Sequence, residues 1–400
     1  MASEWKKHRI KDVVSFVVDN RGKTPPTQDE GNILLEVNAV SVTEKFPLYR
    51  EVRKHVSQEV YDTRFRKGHP KKGDILVPTV GTLGAVSLMD RDDCCIAQNL
   101  IAIRCDEAIC HSHFLYYVLC NPMTRKRLLN LNIGGVQPSI KVPHLMELDI
   151  ELPSIQEQKK IAELLSLLDD KIFCNKRIND NLYAQARAIT NQWITENDSD
   201  YELLPLNEVA VINPDTYSPK EEWKYVNYLD TSSITDGCIA EIQRISPSTE
   251  KLPSRARRKI VSNDVVFSTV RPNQRHFGII SEPLPNMLAS TGFAVIRSKN
   301  PLVCNELIYL CLTDDAFIEK MQQLAEQSTS TFPSIKPSDL GVCEIPCPKD
   351  DSSSSLTETL KAMFSLIAAN HRENASLAEL RDSLLPRLMS GEIDVSDIQI

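Results

Sequence analysis

The feature that most constrains this sequence is an internal repeat. The tetrapeptide Pro-Ser-Ile-Lys stands at residues 138–141 and again at residues 333–336, a spacing of 195 residues. The same spacing continues without a gap for about fifty residues, matching Leu145 with Leu340 and Asn175 with Asn370. Chance can repeat four residues, but it does not hold one register over such a length. The chain is therefore a tandem duplication, in which each half has a divergent front and a similar back.

Each back carries the heptad pattern of a long helix, because apolar residues recur at steps of four and three. The first seam reads Ile161, Leu165, Leu168, Ile172, Asn175, Asn179, Leu182, Ala186, Ile189 and Trp193. The second seam reads Leu356, Leu360, Met363, Ile367, Asn370, Asn374, Leu377, Arg381 and Leu384. Each back is predicted to be a helix of about forty residues and about 60 Å. Arg381 interrupts the second seam, Pro386 is expected to end or kink that helix, and Gly391 suits a stop.

Four asparagines interrupt the two seams near their middles. An antiparallel pair of helices about a pseudo-twofold axis would place Asn175 near Asn374 and Asn179 near Asn370. A buried asparagine costs stability and fixes the register of a coiled coil, so we predict that these four residues set the register. The alternatives are that each helix packs separately on its own front, or that the amides face solvent.

The two fronts are predicted to be small mixed α/β domains. Strand-like runs lie at residues 74–80, 100–104, 264–269 and 292–297, and helical runs lie at 114–120 and 306–312. The predicted fold class is mixed α+β, with two globular target-recognition domains joined by two long helices in an antiparallel coiled coil. The expected boundaries are 1–153 for the first domain, 154–198 for the first spacer helix, 199–348 for the second domain, 349–393 for the second helix and 394–400 for a tail.

The net charge is −8, so a nucleic-acid partner requires local basic patches. Such patches occur at matching places, just before the strands that begin at Asp74 and Asp264. The first comprises Lys45, Arg50, Arg53, Lys54, Arg64, Arg66, Lys67, Lys71 and Lys72. The second comprises Arg244, Lys251, Arg255, Arg257, Arg258, Lys259, Arg271 and Arg275. A solvated surface explains one charge run, but two runs at matching points of a duplication favour phosphate contact.

The turns after these strands offer candidates for reading DNA bases. Arginine suits guanine, and asparagine or glutamine suits adenine. The candidates in the first half are Thr79, Thr82, Gln98 and Asn99. Those in the second half are Arg271, Asn273, Gln274 and Arg275.

The sequence lacks the motifs of an enzyme. It has no phosphate-binding GxxxxGK[ST] loop, no Gly-rich nucleotide-binding turn and no Asn-Pro-Pro-aromatic tetrapeptide of an amino-methyltransferase. Cys105, Cys110, His111 and His113 could suggest zinc, but their spacing favours ordinary packing, and we predict no metal. The absence of an apolar span or leader and the irregularly spaced cysteines indicate a cytoplasmic protein.

Three segments resemble the specificity subunits (HsdS) of type I restriction–modification systems. Residues 150–162, Ile-Glu-Leu-Pro-Ser-Ile-Gln-Glu-Gln-Lys-Lys-Ile-Ala, resemble the PLPPLxEQxxIA opening of a helix in that family. Gly-Asp-Ile-Leu at residues 73–76 and Leu-Leu-Pro-Arg-Leu-Met-Ser-Gly-Glu-Ile at residues 384–393 are also typical of it. The second copy departs at residues 349–355, Lys-Asp-Asp-Ser-Ser-Ser-Ser, which puts equal partner contacts by the two helices in doubt.

The resemblance implies a non-catalytic DNA-binding subunit. Each globular domain would read one half of a split, asymmetric site in double-stranded DNA, and the helices would space the domains and recruit two methyltransferase subunits. Those partners would carry S-adenosylmethionine, restriction subunits with ATP-driven translocation and Mg would add cleavage, and this chain would hold no cofactor. The alternatives are a specificity subunit of a related phage-defence methylation system and a coiled-coil scaffold that does not bind DNA.

Overall fold

The computed structural model describes residues 5–22, 24–135, 137–197, 199–328, 332–350 and 353–395. The chain divides into two compact units. The first comprises Met1–Cys174 and Glu373–Ile400, and the second comprises Asn175–Arg372. Each unit therefore contains one divergent front together with a part of each long helix.

The first front is built of short strands and helices. Its strands are β1 Lys6–Arg9, β2 Val14–Val18, β3 Asn32–Leu35, β4 His55–Val56, β5 Ile75–Pro78, β6 Ser87–Leu88, β7 Cys94–Ile96, β8 Leu100–Cys105 and β9 Asp149–Leu152. Its helices are α1 Gln58–Arg64, α2 Ser112–Cys120, α3 Pro122–Asn130 and α4 Val142–Met146. The long helix α5, Ile155–Glu196, follows and continues into the second unit.

The second front has a similar succession of elements. Its strands are β10 Tyr201–Pro205, β11 Ala210–Ile212, β12 Val226–Leu229, β13 Ile234–Thr235, β14 Cys238–Ile239, β15 Gln243–Ile245, β16 Ala256–Lys259, β17 Asp264–Ser268, β18 Phe277–Ile280, β19 Met287–Ser290, β20 Phe293–Ser298 and β21 Glu344–Pro348. Its helices are α6 Leu206–Val209, α7 Asn305–Leu312, α8 Asp315–Glu326 and α9 Pro337–Gly341. The long helix α10, Ser354–Met389, ends the duplicated part.

The two fronts share a core topology although their sequences diverge, and the second front adds strand β16 and the hairpin β13-β14. The sheet β2-β8-β5-β6 of the first unit corresponds to β11-β20-β17-β18 of the second, and β1-β9 corresponds to β10-β21. A second sheet is β4-β3-β7 in one front and β15-β12-β19-β16 in the other, and each contains one parallel pair. The mixed α/β fold is confirmed in both fronts, and the duplication extends through the whole chain.

A buried aspartate, just before β5 in one front and first in β17 in the other, is paired with an equivalent arginine in both fronts. Asp74 is almost fully buried and receives two hydrogen bonds from the guanidinium of Arg104, at 2.9 and 2.7 Å. Asp264 receives two from Arg297, at 2.7 and 2.9 Å. Each carboxylate also accepts a backbone N–H from three residues upstream. The aspartate of the Gly-Asp-Ile-Leu phrase therefore holds the turn that enters the strand, because a buried charge requires such partners.

The two long helices run antiparallel within each unit. In the first unit Arg381 reaches Asp169, and Lys171 lies 3.2 Å from Glu373. In the second unit Asn370 contacts Asn179, and the Phe364 ring packs on Tyr183 of α5. Every seam residue predicted from the heptads is buried or half-buried. In the described part of the chain, no helix is long and apolar enough to cross a bilayer.

Of the two outcomes predicted for Pro386, an end or a kink, the structure excludes an end of the helix at that residue. The helix continues through Pro386 to Met389, and the chain turns at Gly391, whose φ is +72°. Leu385 and Leu388 are buried in the core of the first unit. Burial of these two leucines stabilises the last turn, which offsets the backbone hydrogen bond that proline cannot donate.

One seam layer differs in chemistry between the units. Arg381, the residue that interrupts the second heptad seam, donates to Asp169 at 2.7 Å, and Tyr117 donates to the same carboxylate at 2.6 Å. The residues at equivalent positions in the second unit are Ala186 and Phe364, both buried. The layer that contains an ion pair in the first unit is therefore apolar in the second unit.

Candidate nucleic-acid interface

The repeated Pro-Ser-Ile-Lys phrase anchors the loop that leaves the central strand of each front. In the first unit Ile140 donates its N–H to the carbonyl of Thr79, and Gly81 donates to that of Pro138. In the second unit Ile335 donates to Thr269, and Arg271 donates to Pro333. The repeated phrase therefore fixes the base of a loop whose own sequence differs between the halves, Gly-Thr-Leu-Gly at 81–84 and Arg-Pro-Asn-Gln-Arg at 271–275.

Three segments converge beside this loop in the first unit. Thr24 accepts hydrogen bonds from Gln98, through its hydroxyl at 3.1 Å, and from Arg64, through its carbonyl at 3.2 Å. Asn20 bridges to the basic segment, since it donates to the carbonyl of Gly68 and accepts the N–H of Lys67. Sequence reasoning missed the loop that holds Asn20 and Thr24. Its composition, Asp-Asn-Arg-Gly-Lys-Thr at 19–24, carries a turn signal that could have identified it.

The basic residues predicted in the first half differ in exposure and charge compensation. Lys54 pairs with Glu36 at 2.8 Å, and Arg53 lies 3.7 Å from Glu51. Lys45 is buried and pairs with Asp170. The exposed members of the predicted set are Arg53, Arg64, Arg66, Lys67, Lys71, Lys72 and Thr82, and the half-buried members are Lys54, Gln98 and Asn99.

Thr79 is not available to read a base. It is 2% exposed, and its hydroxyl donates to the carbonyl of Asn99, which also accepts its backbone N–H. Thr269 makes the same two contacts with Gly292. The threonine at this position therefore ties the central strand to its neighbour in both fronts. The sequence could not distinguish this role, because the carbonyl that the hydroxyl meets lies twenty residues away in the chain.

The corresponding loop of the second unit has an unusual backbone. Arg271 and Arg275 have φ angles of +48° and +58°, in the left-handed region that non-glycine residues rarely occupy. Asn273 and Gln274 between them are exposed. The N–H of Asn273 donates to Gln322 of α8 at 3.3 Å. Such strain is usually kept where a loop must present particular side chains, and here the amides of the loop are presented.

Charge compensation also separates the basic residues of the second unit. Arg275 lies 2.6 Å from Asp236 and 2.7 Å from Asp315, and Lys259 lies 2.6 Å from Glu221. These cations are already paired. Arg255 is exposed, and Arg257 and Arg258 are half-buried.

Arg258 stands out in this group. Burial lowers the pKa of its guanidinium. Its buried Nε finds no hydrogen-bond acceptor among the residues that the structure describes. That Nε is closed to solvent, so it does not by itself provide a site for an anionic ligand.

The cysteine and histidine cluster has no metal-site geometry. Within the described ranges no group of three or more His, Cys, Asp and Glu side chains could hold a metal ion. Cys105 and Cys110 are buried, and a mutual hydrogen bond together with burial raises the pKa of the Cys105 thiol. These residues belong to the core of the first front.

The fold and these surfaces define a duplicated, two-unit protein whose equivalent loops stand on a common framework. Residues 2–184 match the family model described as the type I restriction modification DNA specificity domain. The first front and most of the first long helix therefore carry a DNA specificity domain of the type I restriction modification family.

Curated relatives extend the sequence similarity over most of the chain, and a solved structure has the same fold. The HindI specificity subunit of Haemophilus influenzae is 22% identical over 81% of this chain and 87% of its own length. The MjaIX specificity subunit of Methanocaldococcus jannaschii is 26% identical over 72% of this chain and 70% of its own. The crystal structure of a type I system S subunit from M. genitalium superposes with a TM-score of 0.54 at 17% identity, covering 96% of both chains, which supports the same fold.

Proposed function

We propose that this chain reads a split, asymmetric DNA site, with each globular front recognising one half. The observation that carries the proposal is that one framework presents different side chains at equivalent loops. The first unit offers Thr82 in this loop and Asn99 from the turn before β8, whereas the loop of the second unit offers Asn273 and Gln274. Amide side chains recognise adenine through paired hydrogen bonds in the major groove. Different loops on one framework thus suit two different half-sites.

Basic residues of each front supply the contacts with phosphates. In the first unit these are the exposed Arg64, Arg66, Lys67, Lys71 and Lys72. In the second unit the exposed Arg255 and the half-buried Arg257 and Arg258 take this part. The paired residues Lys259, Arg275 and Lys54 hold loops in place and contribute less. Phosphate contact releases counterions, and affinity that arises in this way falls with salt.

The salt dependence of binding tests the phosphate contacts. Replacing Arg64, Arg66 and Lys67 with alanine should weaken binding to all sequences and flatten the log–log salt slope by about 0.9 for each phosphate that is no longer neutralised. A matched control replaces the exposed Lys6, Lys7 and Lys11, on and next to strand β1, and should leave the slope unchanged. An unchanged slope in the first variant would make the basic segment an ordinary solvated surface.

Exchange of a front tests whether the two halves read independently. A chimera that takes residues 1–153 from a homologous subunit should change only one half of the recognised site. Methylation-aware sequencing of a host that carries the complex measures the site directly. A chimera that altered both halves would contradict independent reading.

We assign the helices two roles: they set the distance between the readers, and they recruit two methyltransferase subunits. The hydrogen bond between Asn370 and Asn179, at 2.7 Å, supports a fixed register. Asn175 is fully buried in the same seam of the second unit. Asn374 lies in the part of α10 that belongs to the first unit. Inserting four residues, about one helical turn, beside Asn175 should lengthen the preferred spacer without changing either half-site. Recovery of the original spacer would refute this role.

The partners bring the chemistry in this proposal. Methyltransferase subunits carry S-adenosylmethionine, restriction subunits add cleavage with ATP and Mg, and the complex acts in the cytoplasm, where the genome lies. With a net charge of −8, the isolated chain should bind DNA weakly and the complex much more strongly. A mobility-shift titration of both measures this. Equal affinity for one specific sequence would mean that the partners add nothing to recognition.

A further inference from the structure

An aromatic side chain stands exposed beside the strained loop of the second unit. Phe332 keeps 52% of its surface accessible. Exposure of a phenylalanine forgoes the free energy that its burial would contribute. A single exposed apolar residue is ordinary on a protein surface, so exposure alone implies nothing. The surroundings of this ring carry the argument.

The ring of Phe332 is held against the loop by an arginine. The guanidinium carbon of Arg271 lies 4.8 Å from the ring centroid, which is a cation–π contact. The backbone of the two segments is joined as well, because the N–H of Arg271 donates to the carbonyl of Pro333 at 2.9 Å. Arg271 adopts the left-handed backbone at φ +48°. The exposed aromatic ring and the half-buried, strained arginine therefore form one surface, followed in sequence by the exposed amides of Asn273 and Gln274.

The first unit has the same framework without this pair. The position equivalent to Phe332 is Gln137, and the position equivalent to Arg271 is Gly81. Gly81 makes the corresponding hydrogen bond to Pro138 and has the same sign of φ, +90°. The backbone conformation is thus common to both fronts and is natural for glycine, whereas the second unit accepts an arginine there at a cost in strain. A framework role would be served by glycine, so the arginine and its aromatic partner have another purpose.

We propose that Phe332 is a wedge that enters the base stack of the half-site read by the second unit, with Arg271 holding the ring and facing the DNA backbone. Proteins that distort duplex DNA insert apolar side chains between base steps and stack them on the bases. Since a base must leave the stack to be methylated, a wedge beside it lowers the remaining cost of extrusion. This inference rests on the proposed function. It predicts an asymmetric distortion, confined to one half-site.

Local unstacking can be measured with 2-aminopurine, an adenine analogue whose fluorescence is quenched by stacking. The analogue is placed singly at the positions of both half-sites that are not methylated, in the duplex bound by the full complex with its methyltransferase subunits. Wild-type complex should raise the fluorescence at one step of the second half-site only. Phe332→Ala should abolish that rise and bind the specific duplex about tenfold more weakly, a typical loss for one stacked base. Signals in the first half-site should not change.

Two further variants keep the outcome decisive. Val342→Ala, which removes another exposed apolar side chain of the same unit, should behave as the wild type. Arg271→Gly relieves the left-handed backbone, so the loop should fold, and it should reduce the 2-aminopurine signal because the ring loses its support. An unchanged fluorescence pattern in Phe332→Ala, with specific binding intact, overturns the wedge while leaving DNA reading in place. Loss of methyltransferase assembly in that variant would show that Phe332 contacts protein instead, which also overturns it. Absence of site-specific binding by the wild-type complex would refute the proposed function itself.

Discussion

The ion pair of Asp169 and Arg381 gives a prediction whose size follows from the burial of the two groups. The Asp169 side chain is 6% exposed and that of Arg381 is 21% exposed. The carboxylate is held by Arg381 at 2.7 Å and by Tyr117 at 2.6 Å. In Arg381→Ala, the buried carboxylate of Asp169 keeps, of these two donors, only the neutral hydroxyl of Tyr117. Removing one partner of a buried pair costs about 3–5 kcal/mol, so we expect the first unit to lose that much stability.

The second unit shows how the same layer can be built without charge. There the equivalent residues are Phe364 for Asp169 and Ala186 for Arg381, and the ring of Tyr309 meets Phe364 edge-on at 5.6 Å. The double variant Asp169→Phe with Arg381→Ala should therefore recover most of the loss, since the second unit packs the same two residue types at this layer. Replacement of a buried ion pair by packed apolar residues is often neutral or stabilising.

Tryptophan fluorescence can follow the first unit alone. The chain has three tryptophans, of which Trp5 belongs to the first unit, where it packs on Phe114. In a background with Trp193→Phe and Trp223→Phe, urea unfolding monitored by Trp5 reports the free energy of that unit. A loss below about 1 kcal/mol in Arg381→Ala would mean that water already solvates the pair. A double variant as unstable as the single would refute the apolar equivalence of the two layers.

The remaining predictions concern buried polar groups. Gln158→Ala removes three hydrogen bonds, to the carbonyls of Ile109 and Pro153 and from the N–H of His111, and should destabilise the first unit by about 2–3 kcal/mol in the same urea assay; a loss within error would contradict that role. Asn370→Leu should cost about 1–3 kcal/mol by calorimetry because the amide of Asn179 loses its partner, whereas a more stable single variant would show that the amide is solvated. Burial, followed by the nearby Lys45 charge, lowers the pKa of His113 to about 4. Neutral His113 therefore contributes stability above the unfolded pKa of 6.5, and that stability declines as the pH falls from 6.5 towards 4. His113→Gln should reduce the loss between pH 7 and pH 5 by about 1 kcal/mol, and an unchanged pH profile would contradict it.

Some features of this protein were determined by local sequence alone. The 195-residue repeat and the heptad seams predicted two long helices, which the structure places at Ile155–Glu196 and Ser354–Met389. The sequence also predicts the strands at residues 74–80 and 264–269, because β-branched residues next to turn-forming residues favour an extended backbone locally. Such features depend on neighbours in sequence, so periodicity and composition suffice to find them.

The tertiary structure decided what each polar residue does. Arg381 interrupts a heptad seam in sequence, but it meets a buried carboxylate that lies far away in the chain. The sequence makes Thr79 a candidate for reading a base, but its hydroxyl donates a hydrogen bond to the carbonyl of Asn99. Phe332 would be assigned to a core by composition, and it lies exposed against Arg271. The energy of a polar or aromatic side chain depends on the partner that folding brings to it, and no spacing along the chain specifies that partner.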